Sequence, residues 1–515
     1  MVPGSAGRTT LLLLAPVVLA VALVACGGGE TSDQAVEEPT TAEAVATDET
    51  AAAGNAASTD EAVTDPTGDA DVEPVVFADD YATSVEPIFA GECAACHLPG
   101  GPGSPHWELG TAGQLAENHM TLALVVGARV MPPWPAGGDS PAFHEDRSLS
   151  DDEVQAILDW SAAGAPIDVP ADRMIEPTVE LVGLADPDSV LAPPAAYAGS
   201  TDVVDDYRCQ IYELPAGADG GYLTAYEFVP DQPEVVHHAI GYLLPADARE
   251  RAEARDGEDG RPGWSCFGSS GLGRDETVIG WAPGQLPTRY PDGSGVPLEP
   301  GAFFVIQVHY HYEDAAPADA STLAINFAPA SKDLDQINIA QLAAPAEIPC
   351  TTDEDGPLCD REVALAAAYD KYGAEGVLAN NFLFLCGASV DDFAAMTDGL
   401  VNSSCDVPAR AVGAVGEVVA VLGHEHEIGD WFRITINPDA ADEQVLLDIP
   451  DWDFDWQYNY EPAERIVIDP SDTLRIECGW DRSRRDPDLE PSYVLWADGT
   501  NDEMCFGTVT TRPVS

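Results

Sequence analysis

Cys93-Ala94-Ala95-Cys96-His97 has the spacing of a covalent haem attachment site. Two thiols three positions apart can form thioethers with the two haem vinyl groups, and the adjacent imidazole can take an axial place on the iron. A redox dithiol and half of a zinc site are the other chemistries open to the two cysteines. A sixth iron ligand is expected from the loop that follows. Met131, in Met131-Pro132-Pro133-Trp134, is preferred over Met120 and His119, which lie in a helix-like stretch. A His/Met pair raises the reduction potential relative to two nitrogen ligands. His106 and His144 read as surface or haem-edge residues.

Five further histidines recur at three places. His237-His238 open an apolar run, His309 lies within Val305–Tyr310, and His424 and His426 flank Glu425. A single strand histidine is ordinarily core or surface. Positions 424 and 426, however, share one strand face, which is a chelating geometry. His237 and His238 would point to opposite faces of a regular strand, so both reach one metal only at a strand end or a twist. His311 shares a face with His309 and is its rival.

In chain order, His237-His238, Gln307-Val308-His309-Tyr310, His424-Glu425-His426 and Asp502-Glu503-Met504-Cys505 resemble the type II copper, ascorbate-dependent monooxygenases. That family includes peptidylglycine α-hydroxylating and dopamine β-monooxygenases. Tyr207-Arg208-Cys209, Trp281-Ala282-Pro283 and Leu286-Pro287-Thr288-Arg289 add to the resemblance, which spans roughly residues 175 to 515. It implies two copper ions. One, for electron transfer, would sit on His237, His238 and His309. The other, where O2 binds and the C–H bond is cleaved, would sit on His424, His426 and Met504, the catalytic set. A thioether beside two imidazoles favours the cuprous ion and argues against zinc. The resemblance also implies bridges Cys209–Cys266 and Cys478–Cys505. Cys350–Cys359 and Cys386–Cys405 are paired on proximity alone. Two departures stand out. Leu422 occupies the place of an arginine two positions before the His-x-His pair, and Phe506-Gly507-Thr508 follow Met504-Cys505. A peptide carboxylate would lack its partner, so peptidylglycine is not the expected substrate, and nothing marks a catecholamine pocket.

These groups need elements to position them. Val85, Ile88 and Phe89 fall at helical spacing before Cys93. Ser150 and Glu153 form a capping box, Leu149 can staple onto Val154, and Gly164 with Pro166 ends that helix. From about 172 onward, short β-rich runs alternate with Gly, Pro, Asp and Asn turns. The expected architecture is a small all-α cytochrome c domain over 78–168, followed by two antiparallel, jelly-roll-like β-sandwich copper domains over 172–336 and 337–515. Residues 1–26 read as a lipoprotein signal peptide, with Leu23-Val24-Ala25-Cys26 as a lipobox and Cys26 as the lipidated residue. Residues 27–77 read as a disordered acidic linker.

The chain has 515 residues, with Lys+Arg 22 against Asp+Glu 90, a formal charge of −68. Phosphate recognition needs a basic footprint, so nucleic acid is excluded as a partner. The expected protein is exported and lipid-anchored in the cell envelope, on the periplasmic or outer-membrane face. It would hydroxylate a small organic substrate with O2, using two copper ions and one covalent haem c. An ascorbate-like molecule or a redox protein would supply electrons. The competing readings are a non-catalytic haem and copper electron carrier and a zinc hydrolase.

Overall fold

The computed structural model describes residues 80–514, apart from 100, 102, 105, 106, 179–182, 274, 275, 284, 313, 314 and 382. The signal peptide, Cys26, the acidic linker and His106 lie outside the described residues.

The chain is built mostly of antiparallel sheet. Ser189–Leu191, Thr322–Ala328, Tyr222–Val229, Ser294–Pro297 and Asp335–Gln336 form one sheet in that order, with Thr288–Arg289 paired to Tyr222–Val229. A five-stranded sheet runs Trp264–Ser265, Asp205–Tyr212, Phe303–His311, Val236–Leu244, Glu276–Trp281. Side chains alternate across a strand with period two, so one strand can serve two cores. Phe304, Ile306, Val308 and Tyr310 fill the space between the two sheets. Phe303 and Val305 face the other way, packing with Cys209, Cys266 and the helix Arg249–Arg255.

A second pair of sheets follows. Asn338–Ala343, Phe506–Arg512, Gly416–His424 and Val467–Ile468 form one, and Leu400–Pro408, Thr473–Asp481, Gly429–Ile436 and Gln444–Ile449 the other. Val421 and Val509 from the first meet Ile434 and Ile476 from the second in a separate core. Four disulfides join Cys209–Cys266, Cys350–Cys359, Cys386–Cys405 and Cys478–Cys505, the pairs expected from the sequence.

The expected all-α cytochrome c domain over 78–168 is corrected: the described residues contain no sizeable helical domain. The helices between Tyr81 and Ala162 are short, the longest being the 12-residue Asp151–Ala162. Residues 128–150 contain no helix. Prolines at 132, 133, 135 and 141 remove backbone donors and oppose helix there. This stretch runs instead along the second sandwich. The Gly137 amide donates to the Asp448 carbonyl (3.0 Å), His144 N–H to the Glu461 carbonyl (2.8 Å) and Ala463 N–H to the Ala142 carbonyl (2.8 Å). Phe143, 7% exposed, belongs to the sandwich core. Local helix signals hold nonetheless: the Ser150/Glu153 capping box is formed, and Leu149 packs with Val154.

Candidate metal centre

His237 and His238 belong to Val236–Leu244, which pairs with Phe303–His311. The register shifts between Val236, opposite Tyr310, and His238, opposite His309. His237 is therefore the extra residue of a bulge, and a bulge re-aims one side chain that regular pleating would send to the far face. The result is convergence. His238 Nδ1 lies 3.1 Å from His237 Nδ1 and 3.2 Å from His309 Nδ1. One ligand atom from each of the three lies within 4.8 Å of the others. A metal held by tetrahedral bonds of ~2.0 Å needs nitrogens about 3.3 Å apart, so the three imidazoles fit one ion.

Burial, with the neighbouring imidazoles adding to it, pushes the His237 pKa down to about 3 and that of His238 well below its usual value. His309 is lowered by burial, opposed by Asp205. All three rings are thus neutral donors. His309 Nε2–H donates to Asp205 Oδ1 (3.0 Å), which leaves Nδ1 as its ligand atom. His311 donates through Nδ1 to the same oxygen (3.1 Å) and stands outside the three-nitrogen group. Burial alone would raise the Asp205 carboxyl, but the hydrogen bonds from His309 and His311 outweigh it and hold the group below its usual range. Tyr207 stacks on the His309 ring at 4.3 Å and 8°.

The second group is set by another strand pairing. His424 ends Gly416–His424 and stands opposite Phe506, which places Met504, two residues earlier, beside the His424–His426 corner. A Cβ at Gly423 would lie 2.5 Å from the Phe432 ring, so the strand can pack this closely only with glycine before His424. The His424 and His426 rings are 5.1 Å apart, and both line one cavity with Met504. His424 Nδ1–H donates to Gln457 Oε1 (2.5 Å) and His426 Nδ1–H to the Asp502 carbonyl (3.0 Å), so each Nε2 is the ligand atom. Two imidazoles and a thioether suit a cuprous ion. Burial lowers both histidine pKa values, that of His426 the further.

Glu503, fully buried, ties this corner together. It accepts hydrogen bonds from the amides of His426 (2.9 Å), Ile428 (2.9 Å) and Met504 (3.1 Å) and from Trp480 Nε1 (3.0 Å). Burial nonetheless raises its pKa to about 8. Cys505 is bridged to Cys478 of the facing sheet, which fixes the Met504 backbone from the other side. Asp205 and Gln457 are functional residues the sequence reading missed, and no spacing marks them. Glu503 stands in the Asp502-Glu503-Met504-Cys505 stretch, where only Met504 reads as a ligand.

The two groups are neighbours. The His238 and His424 rings are 6.1 Å apart, and Phe454 stacks on His237 at 4.8 Å while meeting His426 at 5.9 Å. A cavity of ≈ 490 Å³ between the two sandwiches reaches His238, His424, His426 and Met504.

At the Cys93–His97 segment, Cys93 and Cys96 are the free cysteines among the described residues. Burial pushes the Cys93 thiol up to about 12. His97 Nδ1–H donates to the Trp107 carbonyl (2.7 Å), leaving Nε2 as the ligand atom, and a Cβ at Gly103 would crowd the His97 ring at 3.1 Å. Two thiols and an oriented imidazole fit a haem c. Among the described residues, no hydrogen bond or ring contact joins Met131 to His97. Of its rivals, His119 is bonded through Nδ1 to Ser161 Oγ (2.9 Å) and Met120 is 74% exposed. Trp134, in the same loop as Met131, packs on Tyr458 (5.9 Å) and Tyr460 (5.3 Å). Tyr458 is next in sequence to Gln457, and the Arg147 guanidinium lies over its ring at 5.5 Å.

Neither a family model nor a curated protein matches the chain. Among solved structures it is similar to PNGase F, a glycosylasparaginase from Flavobacterium meningosepticum, with 9% identity, 63% of this chain and 96% of that one covered, and a TM-score of 0.23. Broad bean stain virus gives 8%, 63% and 88%, with a TM-score of 0.21. Oxalate decarboxylase from Bacillus subtilis gives 9%, 65% and 76%, with a TM-score of 0.11. Scores this low carry no argument about fold or activity. No helix among the described residues is long and apolar enough to cross a membrane.

Proposed function

We propose that this chain is an exported, lipid-anchored, copper-dependent monooxygenase that hydroxylates a C–H bond of a small organic substrate with O2, and that a c-type haem on the same chain supplies electrons. One observation carries the reading. His238 of the three-imidazole group lines a single cavity with His424, His426 and Met504, and the His238 and His424 rings are only 6.1 Å apart.

Copper bound there would supply one-electron redox chemistry and O2 activation. The protein's own groups do the rest. Asp205 sets the tautomer of His309, Gln457 that of His424 and the Asp502 carbonyl that of His426, so each presents its lone pair to the metal side. Glu503 and the Cys478–Cys505 bridge hold the Met504 backbone beside the His424–His426 corner. The cavity walls beside these residues are largely apolar, Ile240, Ile279, Trp281, Leu342 and Leu422 among them. Cys93, Cys96 and His97 would hold the haem, with Met131 as the proposed sixth ligand. Trp134 of that loop packs on Tyr458, Tyr458 is bonded in the chain to Gln457, and Gln457 is hydrogen-bonded to His424, a run of one ring contact, one peptide step and one hydrogen bond from the Met131 loop to His424.

The test is metal analysis joined to O2 uptake. The expected result is two copper ions per chain and uptake that needs both substrate and reductant. Met504→Ala should abolish the uptake while copper stays on His237, His238 and His309. Copper without turnover across a broad panel of C–H substrates would make the chain an electron carrier instead. Tight zinc occupancy with no reductant dependence would make it a hydrolase.

A further inference from the structure

Tyr207 stands where the two sandwiches meet, beside the three-imidazole group. It is directly opposite His309 in the ladder of Asp205–Tyr212 with Phe303–His311, and its ring lies flat on the His309 ring at 4.3 Å and 8°. Its hydroxyl leaves the first sandwich and donates to the Asp498 carbonyl of the second, a buried bond between residues 291 positions apart. The Asp498 side chain in turn accepts from the Gly268 amide. Gly268 lies two residues after Cys266, which is bridged to Cys209, itself two residues after Tyr207. The two donors are therefore held as one piece.

The loop they grip also serves the other group. Ala497 N–H donates to the Glu503 carbonyl (3.3 Å), Glu503 N–H to the Leu495 carbonyl (3.1 Å) and Asp502 N–H to the Gly499 carbonyl (2.8 Å), so the loop is closed on itself. Its Asp502 carbonyl accepts His426 Nδ1–H at 3.0 Å. Phe267 adds a parallel contact. It packs on Tyr207 at 5.4 Å and on Tyr372 at 5.1 Å, and the Tyr372 hydroxyl donates to the Asp502 carboxylate. A cavity of ≈ 490 Å³ occupies the middle of the interface, so contacts at its edge must fix the spacing. Packed domains move against one another by default unless their interface is large and apolar. A route for electrons through Tyr207 crosses two hydrogen bonds and the Asp498–Asp502 backbone, whereas the His238 and His424 rings face each other directly at 6.1 Å. Tyr207 thus acts on the gap and does not carry the electron.

We propose that Tyr207 is a positioning residue: by stacking on His309 and bonding the Asp498–Asp502 loop, it sets the separation of the two metal groups. The inference rests on the reading of both groups as copper sites. Without the hydroxyl, the Asp498 carbonyl loses its buried donor, and the loop recovers that cost by moving toward water.

The interaction between two cupric spins tests this without turnover. Full-length protein is loaded with copper, oxidised, and its half-field EPR signal is measured per copper; that signal falls steeply as the spins separate. Tyr207→Phe keeps the stacked ring and should still hold copper at both groups, but its half-field signal should fall by more than half. Asp498→Ala, which removes the acceptor of the Gly268 amide, should act in the same direction and decides the matter where Tyr207→Phe does not fold. Tyr197→Phe, whose lost hydroxyl bonds Asp206 within the first sandwich, should match wild type. A tyrosine that only stabilises the fold would lower stability and leave the signal per copper unchanged. Copper at both groups with equal signals in wild type and Tyr207→Phe would overturn the role of Tyr207 alone, as would a wild-type protein with no half-field signal. Copper absent from either group would overturn the oxygenase reading and this inference with it.

Discussion

Asp205 offers the sharpest test of the three-imidazole site, because its effect is indirect and graded. One oxygen, Oδ1, receives both His309 Nε2–H at 3.0 Å and His311 Nδ1–H at 3.1 Å. Asp205→Asn keeps an acceptor there but removes the charge. A hydrogen bond to a charged group is worth ~1.5–3 kcal/mol and a neutral one ~0.5–1.5, so the His309 contact should weaken by about 1–1.5 kcal/mol, about tenfold in metal affinity. Asp205→Ala removes the acceptor as well. The fully buried His309 then keeps an N–H without a partner, or turns to the wrong tautomer. Loss of such an outer partner costs ~10–100-fold in metal affinity. The assay is competition for cuprous ion against a chromophoric chelator, in wild type, Asp205→Asn and Asp205→Ala. Affinity at the His424–His426–Met504 group should stay the same throughout. Equal affinities in all three proteins, with His309→Ala lowering affinity as a control, would refute the claim that Asp205 holds His309 in its ligating form.

Three further outcomes are expected. Phe143→Ala should destabilise the protein by about 3–5 kcal/mol in urea, because Phe143 fills the core of the second sandwich; an unchanged midpoint would make residues 131–144 a mere surface strap. Glu503→Gln should cost about 1–3 kcal/mol at pH 9, above the raised Glu503 pKa of about 8, because its amide would face at least one of four N–H donors that there meet a carboxylate; chemical denaturation at that pH reads this directly. Glu354 pairs with the buried Arg482 through two contacts, and although burial opposes it, the pairing lowers its pKa from 4.5 to about 2. A depressed carboxyl stabilises the fold above its unfolded pKa, and the gain is lost as pH falls through the folded value. Glu354→Gln should therefore cost about 1–3 kcal/mol at neutral pH, with the gap to wild type closing between pH 4.5 and about 2. A gap constant across that window would show that the pairing does not depend on Glu354 charge.

Signals that act within a few residues, or through parity, were legible before any fold was known. The Ser150/Glu153 box formed because both hydrogen bonds close inside one turn of chain. Of the eight cysteines of the β region, Cys350–Cys359 and Cys386–Cys405 paired as proximity suggested, and Cys209–Cys266 and Cys478–Cys505 as the resemblance implied. Runs such as Phe303–His311 and Gly416–His424 became strands because their β-branched and aromatic residues fit a pleated, half-buried surface. The helical periodicity near Asp80 was also real, but its extension to a separate helical domain failed. Periodicity describes one face of one helix, whereas a domain needs enough helix to close its own core.

The residue types at 237, 238, 309, 424, 426 and 504 were decided by the sequence alone, and with them the choice of nitrogen and sulfur donors. Tertiary structure decided whether those donors could meet. The bulge at His237 depends on the register of Val236–Leu244 against Phe303–His311, some 70 positions away. The roles of Asp205, Gln457 and Glu503 depend on partners brought close only by folding, with separations of 104, 33 and 77 residues in their hydrogen bonds to His309, His424 and His426. The same is true of the Pro-rich loop after Met131, whose unpaired backbone and apolar Phe143 could be satisfied only by a sheet formed 300 residues later. Local chemistry is written in short stretches of chain, but register, burial and the meeting of distant carboxylates with imidazoles are set by the free energy of the whole packed molecule.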